Sequence, residues 1–530
     1  MNAPSGIATT ASLPAGYYNA ALDLLDRNVA EGRGDKVAVI DDAGRYTYGD
    51  LTARANRFAN ALSDLGIRRG ERVLLALHDS VDFPTAFLGA IKAGIVPVCV
   101  NTLLTPKDFD FMLEDTGATA LVVSQAILGQ FTPILDRHRP ADGGMLQHVV
   151  VSGAADEGAL TVEALLASAP AQHQPALTVA DDICFWLYSS GSTGTPKGAV
   201  HIHSSLMRTA ELYARPILGI TEDDVTFSAA KLFFAYGLGN NLTFPFAVGA
   251  TAVLMAERPT PAACFRRLTE HRPTIFFGVP TLYGAMLSGP DMPSPDDLAL
   301  RHCVSAGEAL PADLARRWKE RFGVDILDGI GSTEMLHIFI SNRPGDIAPG
   351  TSGRPVPGYE AKLVGEDGQP VARGEMGELF VAGPSACIMY WRKREKSLDT
   401  FHGRWTRTGD KYLETEAGHL AYCGRADDMM KVSGQYVSPF EVEGALVSHQ
   451  SVLEAAVVAH EDADGLIKPR AFIVLREGIA GSEDLARALK DHVKAQIAPY
   501  KYPRWFDFVD ELPKTATGKI QRFKLRRLDK

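Results

Sequence analysis

Glycines, hydroxyl-bearing residues and a lysine are concentrated in one short stretch of the sequence, Tyr188 to Gly198. Glycines let backbone N–H groups approach an anion closely, hydroxyls add hydrogen-bond donors, and Lys197 supplies a compact positive charge. A flexible surface loop has a similar composition, but the apolar run Ile183 to Leu187 ahead of this stretch is typical of a buried strand. We therefore predict an anion-binding loop that follows a strand. Its candidate ligands are Ser189, Ser190, Gly191, Ser192, Thr193, Gly194 and Lys197.

This loop does not have the spacing of the common ATPase phosphate loop. That loop needs a glycine, four residues, and then Gly-Lys followed by serine or threonine. Here the four residues after Gly191 are followed by Pro196-Lys197-Gly198. Proline replaces the second glycine, and glycine replaces the hydroxyl that would contact magnesium, so a different class of phosphate site is indicated.

Two more charged residues stand in glycine-containing segments further along the chain. Glu334 ends the run Ile330-Gly331-Ser332-Thr333-Glu334, and Lys519 follows Gly518 near the C-terminus. A carboxylate beside phosphates is useful only through a hard cation such as Mg²⁺. Taken alone, Glu334 has a second interpretation as an acid at a helix N-terminus, and Lys519 as a solvated surface lysine.

These motifs, in this order along almost the whole chain, resemble those of the adenylate-forming superfamily, which includes acyl-CoA synthetases, peptide-synthetase adenylation domains and luciferases. The resemblance implies that the loop binds the β- and γ-phosphates of ATP and that Thr333 contacts phosphate. It implies that Glu334 holds Mg²⁺ and that Lys519 is the catalytic lysine, bridging the carboxylate substrate and the α-phosphate. The cofactors expected from the resemblance are ATP, Mg²⁺ and coenzyme A as co-substrate.

The resemblance also implies a set of nucleotide-binding residues. The segment that contacts adenine corresponds to Ala306, Gly307 and Glu308, and the segment before Glu334 adds Asp328, Gly329 and Ile330. Isoleucine stands at position 330, where the family usually has an aromatic residue. Asp410, in Thr408-Gly409-Asp410, corresponds to the ribose-binding aspartate, and Arg425 corresponds to a nucleotide-contacting arginine. A carboxylate suits a ribose, since it can accept hydrogen bonds from two neighbouring hydroxyls.

Two residues correspond to parts of the family that move between the half-reactions. Asp427 falls at the hinge about which the small domain turns, and Gly434 lines the tunnel for the pantetheine arm of coenzyme A. We accordingly predict an N-terminal adenylate-forming domain, residues 1–426, and a mobile C-terminal domain, residues 427–530, that carries Lys519. The first half-reaction would form acyl-AMP and pyrophosphate, and the second would transfer the acyl group to a thiol and release AMP.

The segment Lys231 to Asn240 matches the family's acyl-pocket segment, and it contains no acidic residue. Amino-acid-activating relatives use an aspartate in this region, so the segment argues against an amino-acid substrate. Small and aromatic side chains suit a flat ring, because aromatic faces stack and glycine leaves space. The candidate acyl-binding residues are Phe234, Ala235, Tyr236, Gly331, His337 and Ile338.

Within the superfamily these segments look most like those of benzoate–CoA ligases. Hydroxybenzoate–CoA and aminobenzoate–CoA ligases are close alternatives, followed by medium-chain fatty acyl-CoA synthetases. Because no carrier-protein domain follows Lys519, we expect free coenzyme A to be the thiol. A non-catalytic ligand-binding member of the fold is a further alternative, although such a protein would be expected to have lost Lys519 or Glu334.

The elements that position these residues alternate between strands and helices over the first two thirds of the chain. Such alternation predicts parallel sheets with helical crossovers. After Gly358 the strands are separated by turn-rich segments, and the last hundred or so residues have the pattern of a small α+β domain. We predict an α/β fold with a large N-terminal domain of parallel-rich sheets flanked by helices, a β-barrel-like subdomain, and a small mobile α+β C-terminal domain.

Composition limits the partners and the compartment. The chain has 530 residues, is 46% hydrophobic and 22% charged, and has a net charge of −10. The acidic balance argues against nucleic acid as a partner. The six cysteines are widely spaced, no run is apolar enough to span a membrane, and the N-terminus does not resemble a signal peptide. We expect a cytoplasmic protein with no membrane contact that acts on a small aromatic carboxylate; the sequence leaves the quaternary state open, with a homodimer as one candidate.

Overall fold

A computed structural model describes residues 13–154, 157–189, 196–289, 291–432, 435–462, 466–514 and 520–526. Three groups of predicted site residues lie outside these ranges: Ser190 to Gly194 of the loop, Gly434, and Lys519. The roles expected for these residues therefore stay predictions.

In chain order, the strands are β1 (Val37–Ile40), β2 (Arg45–Thr47), β3 (Arg72–Ala76), β4 (Val96–Cys99), β5 (Ala120–Ser124), β6 (His148–Ser152), β7 (Ile183–Ser189), β8 (Lys197–Ile202), β9 (Val225–Ser228), β10 (Thr251–Val253), β11 (Ile275–Gly278), β12 (His302–Ser305), β13 (Ile326–Gly331), β14 (Ile338–Ser341), β15 (Arg354–Pro355), β16 (Glu360–Val364), β17 (Met376–Ala382), β18 (Met389–Tyr390), β19 (Phe401–His402), β20 (Trp405–Glu414), β21 (Leu420–Arg425), β22 (Met430–Val432), β23 (Gln435–Val437), β24 (Val452–Glu461), β25 (Ile467–Leu475) and β26 (Trp505–Phe508).

The α-helices are α1 (Tyr48–Asp64), α2 (Asp82–Lys92), α3 (Pro106–Thr116), α4 (Leu128–Phe131), α5 (Val162–Ser168), α6 (His203–Thr209), α7 (Ala235–Leu238), α8 (Phe244–Val248), α9 (Pro261–Glu270), α10 (Pro280–Ser288), α11 (Ala312–Phe322), α12 (Arg394–Thr400), α13 (Pro439–Val447), α14 (Glu483–Gln496) and α15 (Arg522–Leu525). Turns of π-helix occupy Leu22–Asp26, Val29–Arg33, Ala210–Ala214 and Gly239–Thr243. Short 3₁₀ turns include Ala426–Asp428.

Two large sheets form the body of the protein. One has nine strands in the order β15-β14-β13-β12-β11-β9-β10-β1-β2, and the other has seven in the order β18-β8-β7-β4-β3-β5-β6. Their inner strands pair in parallel, and antiparallel pairs lie toward the edges, at β1–β2, β13–β14–β15 and β7–β8–β18. The predicted parallel-rich α/β architecture is confirmed.

Strands β16, β17, β19, β20 and β21 form a five-stranded antiparallel sheet, in the part of the chain where a barrel-like subdomain was expected. Its longest strand, β20, pairs with three of the others and carries Asp410. The turn Ala426–Asp428 follows directly after β21.

The last part of the chain has its own hydrophobic core. Strands β24, β25 and β26 form a three-stranded sheet, and buried residues of α13 and α14 pack on it in one cluster that begins at Met430. A separate core is the mark of a domain, so the predicted small α+β C-terminal domain is confirmed. The boundary at residue 427 stays a prediction.

Some elements differ from the expectation. The sequence pattern predicts a helix from Tyr46, but Tyr46 lies in β2, and α1 begins two residues later. Thr47 caps α1, because its side chain accepts from the backbone N–H of Asp50 while the Asp50 carboxylate accepts from the N–H of Thr47. This capping box defines the helix start more sharply than the apolar spacing does.

Candidate active site

The two ends of the predicted anion-binding loop are held side by side. Ser189 is the last residue of β7, Lys197 is the first residue of β8, and the two are paired across the antiparallel ladder. The prediction of a buried strand before the loop is confirmed, because Cys184, Phe185 and Trp186 are almost fully buried. The loop is thus the connection of a β-hairpin, and its described ends bring a hydroxyl and an ammonium to the same place.

A second hairpin, β13–β14, carries most of the remaining predicted site residues. Thr333 and Glu334 lie in its connecting segment, so Glu334 does not stand at a helix N-terminus. The pairing shifts register between Ile330 and Gly331. A Cβ on Gly331 would lie 2.7 Å from the carbonyl of His337, which means that the two strands approach as closely as only glycine allows.

The carboxylate of Glu334 is surrounded by groups from three other segments. Its Oε1 accepts a 2.6 Å hydrogen bond from the hydroxyl of Tyr390 and a 3.4 Å hydrogen bond from Ser189 Oγ. Lys197 Nζ lies 3.3 Å from the same Tyr390 hydroxyl. Burial lowers the pKa of Lys197, and the nearby charge of Glu334 opposes that shift. The ammonium of Lys197, at the end of the predicted anion-binding loop, and the carboxylate of Glu334, the candidate magnesium ligand, therefore belong to one small polar cluster.

Magnesium is commonly held by one or two carboxylates together with substrate phosphates and water. Among the described residues there is no cluster of three or more histidine, cysteine or acidic side chains that could form a complete metal cage. A single half-buried carboxylate, Glu334, beside the ends of the predicted anion-binding loop fits a cation that brings its remaining ligands with the nucleotide.

His201 supports the segment that carries Thr333 and Glu334. Its Nε2 lies 2.8 Å from the carbonyl oxygen of Thr333, so this nitrogen carries the proton. The imidazole is fully buried and stacks on Phe185, and burial lowers its pKa to about 4. His201 is therefore neutral at physiological pH and serves as a fixed donor that holds the backbone of the β13–β14 connection.

The residues predicted to contact adenine come from two adjacent strand ends. Ala306 is buried directly after β12, Gly307 has a φ of +91°, and the carboxylate of Glu308 accepts a 2.9 Å hydrogen bond from Thr281. Asp328 on the neighbouring strand β13 is paired with Ser305. The loop after β12 and the end of β13 thus lie together, as the resemblance implies for a base-binding site.

Asp328 carries a buried oxygen without a protein partner. Its backbone carbonyl accepts two hydrogen bonds from Asn342, but its side-chain Oδ1 has no hydrogen-bond partner among the described residues. Burial holds the pKa of this carboxyl well above its usual value. Asp328 also lines a cavity of about 420 Å³, together with Leu310, Asn342 and Thr351. An acceptor of this kind is matched to a ligand that brings an N–H donor.

Ile330, on the same strand, pairs with Ile340 across the hairpin and packs against the main hydrophobic core. Gly329 lies beside it, where a Cβ would stand 2.7 Å from the carbonyl oxygen of Ile340. Position 330 thus presents a half-buried aliphatic side chain where the family usually has an aromatic one.

Asp410 and Arg425 form an ion pair on adjacent strands. Arg425 Nη1 lies 3.0 Å from Asp410 Oδ1 and donates to the carbonyl of Thr408, and the two residues are paired across β20 and β21. Asp427 is exposed in the turn just after Arg425. The predicted ribose-binding carboxylate, the nucleotide-contacting arginine and the hinge are therefore close neighbours.

The predicted acyl-binding residues lie on two segments that face each other: the start of α7 and the β13–β14 hairpin. Phe234 and Ala235 lead into α7, and Tyr236 donates to the carbonyl oxygens of Gly278 and Val304. The ring of His337 lies 5.5 Å from that of Tyr236. The sequence segments around positions 235 and 337, far apart in the chain, meet at one apolar place.

His337 closes this place from below. It is 2% exposed, and its ring also contacts Phe244 at 4.4 Å and Tyr213 at 5.4 Å between ring centres. Burial lowers its pKa to about 3, so the imidazole is neutral. Its neighbour Ile338 is 1% exposed at the start of β14. The two residues predicted to line the far side of the acyl site are thus a neutral ring and an aliphatic side chain, both buried.

Four residues of this region were not identified from the sequence: Tyr390, His201, Asn240 and Asp79. Tyr390 and His201 contact the 333–334 segment, and Asn240 hydrogen-bonds to His337. Asp79 is 2% exposed and accepts from the backbone N–H of Leu232, which holds the segment before Phe234. Their positions carry no local signal, because each acts on a residue more than fifty positions away.

Each of the six cysteines is free, and five are buried. Within the described ranges, no helix combines the length and hydropathy that crossing a bilayer requires.

Comparison with known proteins places this geometry in a family. A family model described as "AMP-binding enzyme" matches residues 25–391, and one described as "AMP-binding enzyme C-terminal domain" matches residues 441–519. The chain is 62% identical over 511 residues to a benzoate–CoA ligase of Thauera aromatica, with 96% of each chain covered. It is 51% identical over 520 residues to a 4-hydroxybenzoate–CoA/benzoate–CoA ligase of Rhodopseudomonas palustris, which covers 97% of this chain and 95% of that relative.

A solved structure agrees with these sequence comparisons. The crystal structure of a benzoate CoA ligase from Burkholderia xenovorans LB400 superposes with a TM-score of 0.90 at 55% identity, covering 96% of this chain and 100% of that one. The first family model covers the two hairpins described above, and the second covers most of the C-terminal part of the chain. The chain belongs to the AMP-binding enzyme family of AMP-forming acid–thiol ligases.

Proposed function

We propose that this protein is an ATP-dependent benzoate–CoA ligase, which activates an aromatic carboxylate as acyl-AMP and transfers the acyl group to coenzyme A. The observation that carries the proposal is the β13–β14 hairpin. It presents the unpartnered acceptor of Asp328, the carboxylate of Glu334 and the neutral ring of His337 within ten residues of the chain. The similarity to benzoate–CoA ligases over nearly the full length supports the same substrate class.

The nucleotide would be held by protein acceptors placed to receive hydrogen bonds from its amino and hydroxyl groups. The Oδ1 of Asp328 is an acceptor for the exocyclic amino group of adenine, beside the Ala306–Glu308 loop and the aliphatic cover of Ile330. The carboxylate of Asp410 can accept hydrogen bonds from both ribose hydroxyls while Arg425 compensates its charge. The first assignment supplies a donor for the Oδ1 of Asp328, which has no hydrogen-bond partner among the described residues.

The first half-reaction requires two anions to meet, the carboxylate of the acid and the triphosphate of ATP. Catalysis is then chiefly a matter of positioning and of charge stabilisation. Lys197 and the loop 189–194 would bind the β- and γ-phosphates, and Thr333 would contact phosphate. Glu334 would hold Mg²⁺, whose charge offsets that of the phosphates when it is bound. Lys519 would bridge the acid and the α-phosphate.

The second half-reaction needs a different arrangement of the small domain. We propose that this domain, residues 427–530, turns about Asp427 after pyrophosphate has left, a hinge-type change. Lys519 would then leave the site and Gly434 would line the path of the pantetheine arm. Asp427 suits a hinge because it is exposed, in a short 3₁₀ turn between β21 and the C-terminal core.

The acid pocket is proposed to consist of Phe234, Ala235, Tyr236, Gly331, His337 and Ile338. None of these side chains is charged at neutral pH, and aromatic faces with a glycine opposite suit a planar ring. An α-ammonium would have no carboxylate to pair with among them. A benzoate ring therefore fits better than an amino acid.

A ring-substituted benzoate is a second candidate substrate, favoured by one observation. His337 donates through Nε2 to Asn240, and its Nδ1 is buried with no hydrogen-bond partner among the described residues. A lone pair in this position can accept from a hydroxyl or amino group on the ring. The relative that is named for both 4-hydroxybenzoate and benzoate is in accord with this alternative.

The test is a panel of acids with the purified enzyme: benzoate, 2-aminobenzoate, 3- and 4-hydroxybenzoate, and octanoate. Pyrophosphate release and mass-spectrometric detection of the CoA thioester would be measured for each with ATP and CoA. We expect benzoate to have the highest kcat/KM and octanoate the lowest. A preference for octanoate would contradict the aryl pocket, and ATP binding without pyrophosphate release from any acid would identify a non-catalytic member of the fold.

Two further expectations accompany the proposal. We propose that the enzyme acts in the cytoplasm, where ATP and coenzyme A are available, and that it forms a homodimer. Sedimentation equilibrium would decide the second point, since a monomer mass of 57.2 kDa would contradict it.

A further inference from the structure

Tyr390 lies between the two charged residues of the phosphate side. Its hydroxyl donates to Glu334 Oε1 at 2.6 Å and accepts from Lys197 Nζ at 3.3 Å. The ammonium of Lys197 also lies 4.4 Å from the centre of the Tyr390 ring, in a cation–π contact. A phenol hydroxyl has one donor hydrogen and two acceptor lone pairs, so it can serve both neighbours at once.

Tyr390 is held firmly in this position. It is 3% exposed, its backbone N–H donates to Ser397 Oγ at 2.9 Å, and its ring packs against Phe401 at 5.2 Å. Its strand β18 pairs with β8, with Tyr390 opposite Ala199, two residues after Lys197. The hydroxyl is therefore placed by the edge of the seven-stranded sheet and not by the residues that it contacts.

In the described part of the chain, Lys197 and Glu334 make no direct ion pair with each other. An ammonium and a carboxylate that both contact one hydroxyl would attract each other strongly in a half-buried site. In a direct ion pair, the ammonium of Lys197 would be less available to the phosphates and the carboxylate of Glu334 less available to Mg²⁺. The phenol occupies the space between them and satisfies each with a hydrogen bond to a neutral group.

We propose that Tyr390 is a positioning residue that keeps Lys197 and Glu334 apart, so that each is available to its own part of the incoming Mg·ATP. The proposal rests on the proposed function, in which Lys197 binds phosphate and Glu334 binds the metal. Mg·ATP then displaces one hydrogen bond to a neutral hydroxyl on each side instead of breaking a direct ion pair. The residue acts through its neighbours and need not touch the reacting atoms.

The variant Tyr390→Phe removes the hydroxyl and keeps the ring, so the cation–π contact with Lys197 remains. In this variant we expect Lys197 and Glu334 to form a direct ion pair. The affinity for Mg·ATP should then fall by about tenfold, the scale of a hydrogen bond to a charged group. Isothermal titration calorimetry without acid or CoA measures this affinity. The control Tyr48→Phe removes a buried hydroxyl that donates at 2.6 Å to the carbonyl of Ala250, and it should leave the affinity unchanged. The melting temperatures of both variants check that they are folded.

A double-variant cycle separates this role from simple packing. In a Glu334→Gln background no ion pair with Lys197 can form, so adding Tyr390→Phe should change the remaining affinity by less than about twofold. A second variant, Tyr390→His, keeps a ring and an N–H donor and should bind Mg·ATP more nearly like the wild type than Tyr390→Phe does. An unchanged affinity in Tyr390→Phe, or an equal loss in both backgrounds, would overturn the proposal.

The same titrations test the underlying function separately. If Lys197→Ala and Glu334→Gln bind Mg·ATP as the wild type does, the phosphate-site assignment fails, whatever Tyr390→Phe shows. If those two variants lose affinity and Tyr390→Phe does not, only the role of Tyr390 is overturned.

Discussion

His337 Nε2 lies 3.0 Å from Asn240 Oδ1, and this hydrogen bond decides which nitrogen of a buried imidazole carries the proton. Asn240 lies in the π-helical turn Gly239–Thr243, between α7 and α8. Turns of π-helix often mark functional sites. Here the turn points the side-chain oxygen of Asn240 at the ring of His337, which ends the proposed acyl pocket. The position of that ring, and with it the depth of the proposed pocket, therefore depends on the π-helical turn.

Replacing His337 by alanine should lengthen the pocket. We expect kcat/KM for benzoate to fall by about tenfold or more, because the ring substrate loses a packing surface. The value for a bulkier acid with an apolar 4-substituent, such as 4-methylbenzoate, should fall less, because the substituent fills the vacated space. The ratio of the two values is the measurement. The control Asn240→Ala removes the hydrogen bond but keeps the imidazole, and it should shift the ratio less. An equal fall for every acid would place His337 outside the specificity pocket.

Gly239→Ala should damage the same pocket from the other side. A Cβ at this position would lie 2.3 Å from His337 Cδ2, so the ring must move. We expect a higher KM for benzoate with little change in the KM for ATP. The matched control is Gly284→Ala on α10, where the added methyl would meet only Leu314 Cδ1 at 4.0 Å. A KM for benzoate that stays at the wild-type value would show that the ring has room to shift.

Lys519→Ala should separate the two half-reactions. We expect adenylation, measured by pyrophosphate release, to fall by a factor of about a thousand, because the positive charge that lets two anions approach is lost. Thioester formation from supplied benzoyl-AMP and CoA should be largely retained. The control is Lys514→Ala, a lysine five positions away that is engaged in an ion pair with Glu454. Equal losses in both half-reactions would argue against a mobile catalytic lysine.

Asp79→Asn should remove a pH dependence of stability. Burial raises the pKa of Asp79 to about 6, from 3.8 in the unfolded chain, although the charge of Lys231 opposes the shift. Between these values the folded state binds more protons than the unfolded state, so the free energy of unfolding falls as the pH rises, by about 3 kcal/mol in total. Asparagine retains an acceptor for the Leu232 N–H and does not titrate.

The melting temperatures of the wild type and Asp79→Asn should therefore diverge as the pH is raised from about 4 to about 6, with the variant becoming the more stable. Above that window the difference should be constant. The exposed acid Asp491 on α14 provides the control, since Asp491→Asn should leave the curve unchanged. Parallel curves for wild type and Asp79→Asn would contradict the assignment of a buried titrating carboxyl.

His203 should produce a dependence of the opposite sign. Burial lowers its pKa to about 4, from 6.5 in the unfolded chain, and its Nδ1 accepts from the backbone N–H of Ala20. Between these values the unfolded chain binds more protons, so this residue's contribution is fully present above about pH 6.5 and is lost as the pH falls, by about 3 kcal/mol.

His203→Asn keeps an acceptor near the position of Nδ1 and should flatten that acid-side loss of melting temperature. The exposed His402 serves as the control, because His402→Asn should not change the slope. A variant that melts with the same pH dependence as the wild type would show that another group controls acid stability.

Much of the architecture could be predicted from local patterns. Apolar runs such as β3 to β5 follow from burial on both faces. The amphipathic spacing of α1 follows from burial on one face, although the helix begins two residues later than that spacing predicts. The strands β12, β13 and β14 were not identified, because short apolar segments with glycines and polar residues carry little periodicity. These missed strands hold the β13–β14 hairpin, so the sequence named its site residues without revealing that one hairpin carries them.

By itself, the sequence determined the chemistry that the chain can attempt: a glycine- and hydroxyl-rich loop after a buried strand, an acid-free pocket segment, and the family to which those motifs belong. Only the tertiary structure decided which groups restrain them. Tyr390 meets Glu334 across 56 positions, His337 meets Asn240 across 97, and Asp79 meets Leu232 across 153. Contacts of this kind depend on which strands and helices pack together, and no spacing along the chain encodes that.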